Sequence, residues 1–409
     1  MNVMYERCAG LDVHKKTVVA GVLTPERQET RTFGTMTADL LALSDWLQAC
    51  GCTHVAMERT GDYWKPVFNI LEGTFAVLLG NAQHVKAVPG RKTDVKDAAW
   101  LAELLQHGLL RASVIPPMAQ RELRDLTRSR STFIRERVTL GNRVQKLLED
   151  ANIKLAAVAS DIMGVSGRAM LAALLAGHTD PRALADLAKG RLRSKRESLV
   201  KALEGRVKPH HRCVLTELLG QIDSLDDTIA RFDEQIERIS GPFEEAVGLL
   251  DTIPGVARHT AEMIVAEIGI EMTRFPSADH LASWAGVAPG NHERAGKRTA
   301  GKTHKGNRVL RTILVQAAHA AARTKGTDLS AHYRRLATRR GKKRAILAVA
   351  HSILVMAYDM LQRKEPYREA GADFFDRLQP EDTARRLIKR LESLGYHVTL
   401  QNSSTEAMP

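Results

Sequence analysis

The hydrophobic rhythm of this 409-residue chain changes at Pro116-Pro117, and that change limits the folds open to it. Before the two prolines, β-rich runs alternate with helical spacing. Arg7 to Val13 and Thr17 to Leu23 read as strands, Gln28 to Gly34 as a weaker third, and Ala38 to Cys50 as a helix. A short strand at His54 to Met57, a helix near Tyr63 to Glu72, a strand at Phe75 to Leu79 and a helix from Asp94 to Gln106 follow. Strands joined by helical crossovers predict a mixed sheet with helices packed on it. After the prolines the period becomes helical. Leu126, Phe133, Leu140 and Leu147 recur every seven residues, and the companion seam of Leu123, Arg130, Arg137 and Val144 is half polar. A second helix carries Val214, Leu218, Ile222, Leu225, Ile229, Phe232, Ile236 and Ile239, the spacing of a coiled-coil seam. Together they predict an antiparallel hairpin or an oligomerising stalk. Between them, Lys189 to Arg212 is an Arg/Lys-rich exposed helix or loop. A mostly helical unit follows Gly241-Pro242, and the tail adds a helix at Glu381 to Leu394 and a short strand at His397 to Leu400. The expected domains are 1–118, 119–245, 246–365 and 366–409.

The location of charge narrows the partner. The chain carries 60 Lys/Arg against 47 Asp/Glu, a formal +13. Residues 1–118 balance at 12 of each and residues 119–290 at 24 of each, so the excess lies beyond them. Residues 291–344 hold 16 basic residues against Glu293 and Asp328. So concentrated an excess predicts a polyanionic partner. A 44% hydrophobic share excludes wholesale disorder. Cys8, Cys50, Cys52 and Cys213 lack paired metal-site spacing and read as reduced thiols. No secretory leader opens the chain, and the apolar run Ala345 to Leu361, broken by His351 and Asp359, reads as a buried helix rather than a span. The expected compartment is the cytoplasm, with no membrane partner.

Four carboxylates carry the candidate chemistry. Asp12 ends an apolar strand in Gly10-Leu11-Asp12-Val13-His14-Lys15, and Glu58 ends a second in Met57-Glu58-Arg59-Thr60-Gly61. Acids at strand ends point into the crevice where such sheets bind ligands. Asp94 and Asp97 lie three apart at a helix start, in Lys92-Thr93-Asp94-Val95-Lys96-Asp97-Ala98, and so share one face. Four such groups at one edge repel unless divalent cations neutralise them, and hard oxygen donors select Mg²⁺ or Mn²⁺. Taken singly they have plainer roles: Asp94 as a helix N-cap, and Asp12 or Glu58 as an ordinary strand-end acid.

In these motifs and in the C-terminal segments below, the sequence resembles the DEDD transposases of the bacterial insertion sequence 110 family. The resemblance implies an α/β RuvC-like N-terminal domain (a ribonuclease-H-like mixed sheet), a helical coiled-coil stalk, and a mainly α C-terminal domain with a helix-hairpin-helix-like turn. It makes Asp12, Glu58, Asp94 and Asp97 the metal-binding catalytic acids. It also implies Mg²⁺-dependent strand exchange on element ends and target DNA by a dimer or tetramer at the nucleoid, with a guide RNA.

Ile253 to Ile268 has the form of a helix-hairpin-helix turn, in which backbone N–H groups at a helix start meet a phosphate; Ala257 stands where a second glycine is common. Downstream, Ser283 to Asn307 is studded with glycine and basic residues, a pattern that lets backbone approach a polyanion while cations neutralise it. Lys297, Arg298, Lys302, Lys305, Arg308 and Arg311 are the expected nucleic-acid contacts, extended by Arg334, Arg335, Arg339, Arg340, Lys342, Lys343 and Arg344. The family's domain supplies a serine nucleophile before an Ala-Gly-Lys; here that position is Arg294, and Ala300 also lacks a hydroxyl. Thr299 is the nearest candidate, beside Thr303 and Ser283. Three readings stay open: a different alignment, substitution by Thr299 or another hydroxyl, or an impaired copy that only binds nucleic acid. An ATPase or sugar kinase is excluded, because Lys15-Lys16-Thr17 supplies no glycine-rich phosphate loop.

Overall fold

A computed structural model describes residues 3–399 except 59–60, 81–93, 111, 114, 295–296, 301–302, 304–305, 375–376 and 378–379; in 94–96, 112, 291–294, 297–300, 382 and 386 it describes backbone alone. The chain divides into two compact units, Met1–Pro116 and Pro117–Pro409.

The first unit is built on a six-stranded sheet of β1 (Cys8–Val13), β2 (Thr17–Leu23), β3 (Gln28–Gly34), β4 (His54–Glu58), β5 (Ala76–Gly80) and β6 (Ala112–Ser113), in the order β3-β2-β1-β4-β5-β6. β1, β4 and β5 run parallel, and β2, β3 and β6 are antiparallel to their neighbours. Strand alternation sorts the side chains. Ala9, Leu11, Val13, Val55 and Met57 face one core with α1 (Thr37–Ala49) and α2 (Trp64–Leu71), whereas Cys8 and Ala56 face the other side with Leu105 of α3 (Asp94–Gln106). Close approach of α3 is a glycine effect. Gly10 and Gly21 are register partners on β1 and β2, and a Cβ on Gly10 would fall 2.5 Å from Ala102 N and 2.8 Å from Leu101 Cβ. The helix therefore lies directly on the strand backbone, held also by Cys8 Sγ donating to Ala102 O at 3.5 Å.

In the second unit, α4 (Met118–Asp150) and α7 (Pro209–Ile239) pack side by side. Arg130 meets Asp233, Arg137 meets Asp226 and Asp150 meets His211, so the pair is antiparallel. Along α4, Leu123, Arg130, Leu140 and Val144 are buried and Leu126, Phe133, Arg137 and Leu147 half-buried, so both seam lines contribute to the packing. Arg130 tolerates burial because Asp233 lies 2.7 Å and Glu262 2.9 Å away, each facing one guanidinium nitrogen. Between the far ends of α4 and α7, α5 (Val165–Leu175) and α6 (Arg196–Leu203) enclose a core of Leu148, Leu155, Leu171, Leu199 and Leu219. The expected basic stretch is a 3₁₀ turn (Gly190–Lys195) leading into α6, with its cations exposed.

The remaining helices, α8 (Glu244–Asp251), α9 (Arg258–Ile268), α10 (Ala278–Ala285), α11 (Arg308–Ala321), α12 (Asp328–Arg340) and α13 (Lys342–Arg363), share a second core with Leu123 and Ile236. The apolar helix α13 is long enough to cross a membrane, yet its Val349, Ala350, Ile353, Leu354 and Ala357 are fully buried in that core. Two short strands, β7 (Asn291–Arg294) and β8 (Lys297–Ala300), pair as an antiparallel hairpin inside the glycine-rich basic stretch, which carries no periodicity that announces them. In the tail, α14 (Pro380–Ser393) forms, but residues 397–399 are not a strand. No described strand lies alongside to take up their backbone hydrogen bonds.

Candidate active site

Leu11 pairs with Met57 across the parallel β1 and β4 strands, so Asp12 and Glu58 are the next residues along and project to the same face. That face is the one α3 covers. Contacts of Ala102 with Cys8 and of Ala98 with Gly10 show that α3 runs antiparallel to β1, which carries its first turn toward the Asp12 end. Its backbone begins at Asp94, and Asp97, half-buried, lies one turn in. The fold thus brings Asp12, Glu58 and the start of α3 to one sheet edge. Asp12 is 16% exposed and Glu58 half-buried, open enough to bind an ion and sheltered enough for the interaction to have force. His14 Nε2 lies 3.1 Å from Asp12 Oδ2 and orients that carboxylate. The alternation that points Asp12 out of β1 does the same for residue 14, the signal by which the sequence could have named it. The donor set of hard carboxylate oxygens fits Mg²⁺ or Mn²⁺.

A second cluster was missed by sequence reasoning. Asp150, His210 and His211 place one ligand atom each within 4.8 Å of one another, in a cleft of about 600 Å³ also lined by Arg206 and Lys208. Histidines adjacent in sequence and an aspartate at a distant helix end give no spacing signal. The hydrogen bonds argue against a metal there. Lys208 N donates to His211 Nδ1 at 3.2 Å, so Nε2 carries the proton it donates to Asp150 Oδ2 at 2.9 Å. A neutral imidazole in that tautomer has no lone pair left for a cation.

The basic segment stands on a built foot. Asn307 N donates to Trp284 O at 3.1 Å, and a Cβ on Gly306 would fall 2.6 Å from Trp284 O, so the chain leaves α10 and returns to α11 at one point. Between them, β7 and β8 set Arg294 opposite Lys297 and His292 opposite Thr299 in backbone register. Arg298 lies on β8, Arg308 is exposed and Arg311 half-buried at the start of α11, and Lys302 and Lys305 fall outside the described residues. Ser283 is on α10, and Thr303 is half-buried. The expected helix-hairpin-helix segment is α8, a turn with Gly255 at φ 86°, and α9.

Comparison with known proteins falls on the same two regions. Residues 9–153 match the DEDD transposase model of the IS110 type, and residues 247–334 match "Transposase IS116/IS110/IS902 family", together more than half of the chain. The chain belongs to the IS110 family of transposases. Its sequence is 27% identical over 325 residues to the transposase for insertion sequence element IS1111A of Coxiella burnetii, covering 78% of this chain and 79% of that one. It is 25% identical to a probable family 20 transposase of Pseudomonas aeruginosa, over 88% and 94% of the two chains. A pilin gene-inverting protein of Moraxella lacunata is 23% identical over 88% of this transposase and 96% of its own length. The first match contains the acid edge and the second ends within α12, so family membership covers both the carboxylates and the basic hairpin.

Proposed function

We propose that this transposase cuts DNA at the ends of its own insertion sequence and at a target and exchanges the strands, using Mg²⁺ or Mn²⁺ held by Asp12, Glu58, Asp94 and Asp97. The reading is carried by the meeting of Asp12, Glu58 and the start of α3 at one edge, which the glycine-seated helix makes possible. Divalent cations there would polarise the scissile phosphate and stabilise charge on the attacking and leaving oxygens. The protein's own part is to hold the carboxylates in place, with His14 bracing Asp12. Lys297, Arg298, Lys302, Lys305, Arg308 and Arg311 neutralise phosphates, and the turn before α9 adds backbone N–H contacts. Exchange between two DNA partners requires more than one active site, so the transposase acts as a dimer or tetramer, with α4 and α7 as its stalk. Guidance by an RNA and action at the cytoplasmic nucleoid rest on the family resemblance.

Thr299 is the proposed nucleophile, and His292, its register partner, the candidate base. Arg294 at the serine position favours a second reading, a nucleic-acid-binding protein that no longer cuts. Incubating the purified protein with element-end DNA, co-expressed flanking RNA and Mg²⁺, then mapping any protein–DNA adduct by mass spectrometry, separates the two. An adduct on Thr299 is expected. Tight binding with no nicking or adduct establishes the second reading.

A further inference from the structure

Glu267 is a carboxylate whose burial no part of the proposed chemistry uses. Its side chain is 1% exposed on α9. Arg128 of α4 donates to it through both fork nitrogens, Nε to Oε1 at 2.6 Å and Nη2 to Oε2 at 2.8 Å. That bidentate pair would satisfy a buried charge by itself. Yet Oε2 takes a further bond, from Asn307 Nδ2 at 2.6 Å. Asn307 is the N-cap of α11, its Oδ1 accepting from Val309 N and Leu310 N, both at 3.1 Å. Through its own N–H to Trp284 O, it also closes the foot on which the β7–β8 hairpin stands. Arg124 adds a second grip from α4, donating to Ala266 O at 2.9 Å and Glu267 O at 2.8 Å.

We infer that Glu267 is a positioning residue, a clamp that ties the foot of the basic hairpin to stalk helix α4 so that the hairpin meets DNA in a fixed orientation. The inference rests on the proposed role of residues 291–305 in gripping DNA. A plain core ion pair would need Arg128 alone. The bond to Asn307 connects the long helix, through Glu267, to the foot of the hairpin. Charge neutralisation then belongs to the hairpin's cations, and their alignment to Glu267 and Asn307.

Asn307→Ser tests the clamp, because serine caps a helix nearly as well but has no amide to donate to Glu267. Hydrogen exchange on the full-length protein is expected to rise severalfold in peptides covering Val287–Arg294 and Lys297–Ala300 and to stay unchanged in α4 and α13. DNA affinity is expected within about threefold of wild type, because the phosphate contacts themselves remain. Strand cleavage at saturating DNA should fall at least tenfold, as misalignment of a positioned group predicts. Asn307→Asp sets two carboxylates against each other and should behave worse than Asn307→Ser in both measurements. Unchanged exchange in the hairpin peptides of Asn307→Ser, or cleavage at the wild-type rate, overturns the clamp. Failure of the wild type to cleave sinks the proposed function instead, and the exchange measurement still decides the clamp.

Discussion

Replacing Gly10 by alanine tests whether the acid edge depends on how α3 is seated. The added Cβ would lie 2.5 Å from Ala102 N and collide with Ala98 O, both backbone atoms of α3 that no rotamer change can move aside. Ordinary contact begins at 3.4 Å, so the helix must retreat by about 1 Å. Overpacking of that kind costs about 1–3 kcal/mol, against about 5–15 kcal/mol for a typical domain, so the unit stays folded. Its melting temperature should fall by about 4 °C or more. Asp97 rides on the displaced helix, and a misplacement of about 1 Å in a positioned group lowers rate by about a hundredfold. The assay pairs thermal unfolding with Mg²⁺-dependent nicking of element-end DNA. Gly73→Ala is the control, because nothing lies within 4 Å of a Cβ there. DNA affinity should be unchanged, since the basic segment belongs to the other unit. A Gly10→Ala protein with wild-type melting and nicking would show that the acid edge does not depend on the seat of α3.

Other consequences follow from particular side chains. Arg130→Met leaves buried Glu262 paired, among the described residues, with the Arg258 guanidinium 3.2 Å away, and should destabilise the second unit by about 3 kcal/mol in urea unfolding; an unchanged midpoint would show the pair to be idle. Burial, reinforced by the nearby Arg130 charge, pushes the His259 imidazole down to about 4. The unfolded chain therefore binds this proton more readily, so the stability it contributes is present above the ordinary histidine range near 6.5 and is lost as pH falls from 6.5 toward 4. His259→Gln should flatten that part of the stability profile, and parallel profiles would contradict the assignment. Replacing Lys297, Arg298 and Arg308 with glutamine should lower the salt dependence of DNA binding by about one unit of slope for each phosphate no longer neutralised; an unchanged slope would move the grip elsewhere.

Much of the first unit was legible because alternation and helical spacing are local signals. The register that puts Asp12 beside Glu58 was not, because strand pairing is a long-range contact that the two acid-bearing runs do not announce. Gly10 belongs to the same short motif as Asp12, yet its purpose as the seat of α3 is a tertiary fact that no periodicity carries. In the second unit the sequence located the long helices but not the partners of their polar seam residues. Arg130 falls on a seam position in a heptad count, and Asp233 and Glu262, 103 and 132 residues distant, make its burial tolerable. The β7–β8 hairpin was hidden because its pairing partners are polar and basic, so no apolar alternation marks them. Glu267 was hidden for the converse reason: a charged residue in an apolar helix gives no hint of its partners.

The central claim is that Asp12, Glu58 and the first turn of α3 form one metal site. Iron-mediated cleavage tests it most directly: Fe²⁺ replaces Mg²⁺ on the intact protein, ascorbate and peroxide generate radicals at the bound ion, and the cut positions in the chain are mapped. Cuts are expected to cluster near Asp12, near Glu58 and near Asp94 to Asp97, and to be suppressed together by excess Mg²⁺ and by Asp12→Asn. Cuts centred on Asp150, His210 and His211, or cuts at one of the three acid segments without the others, would contradict it.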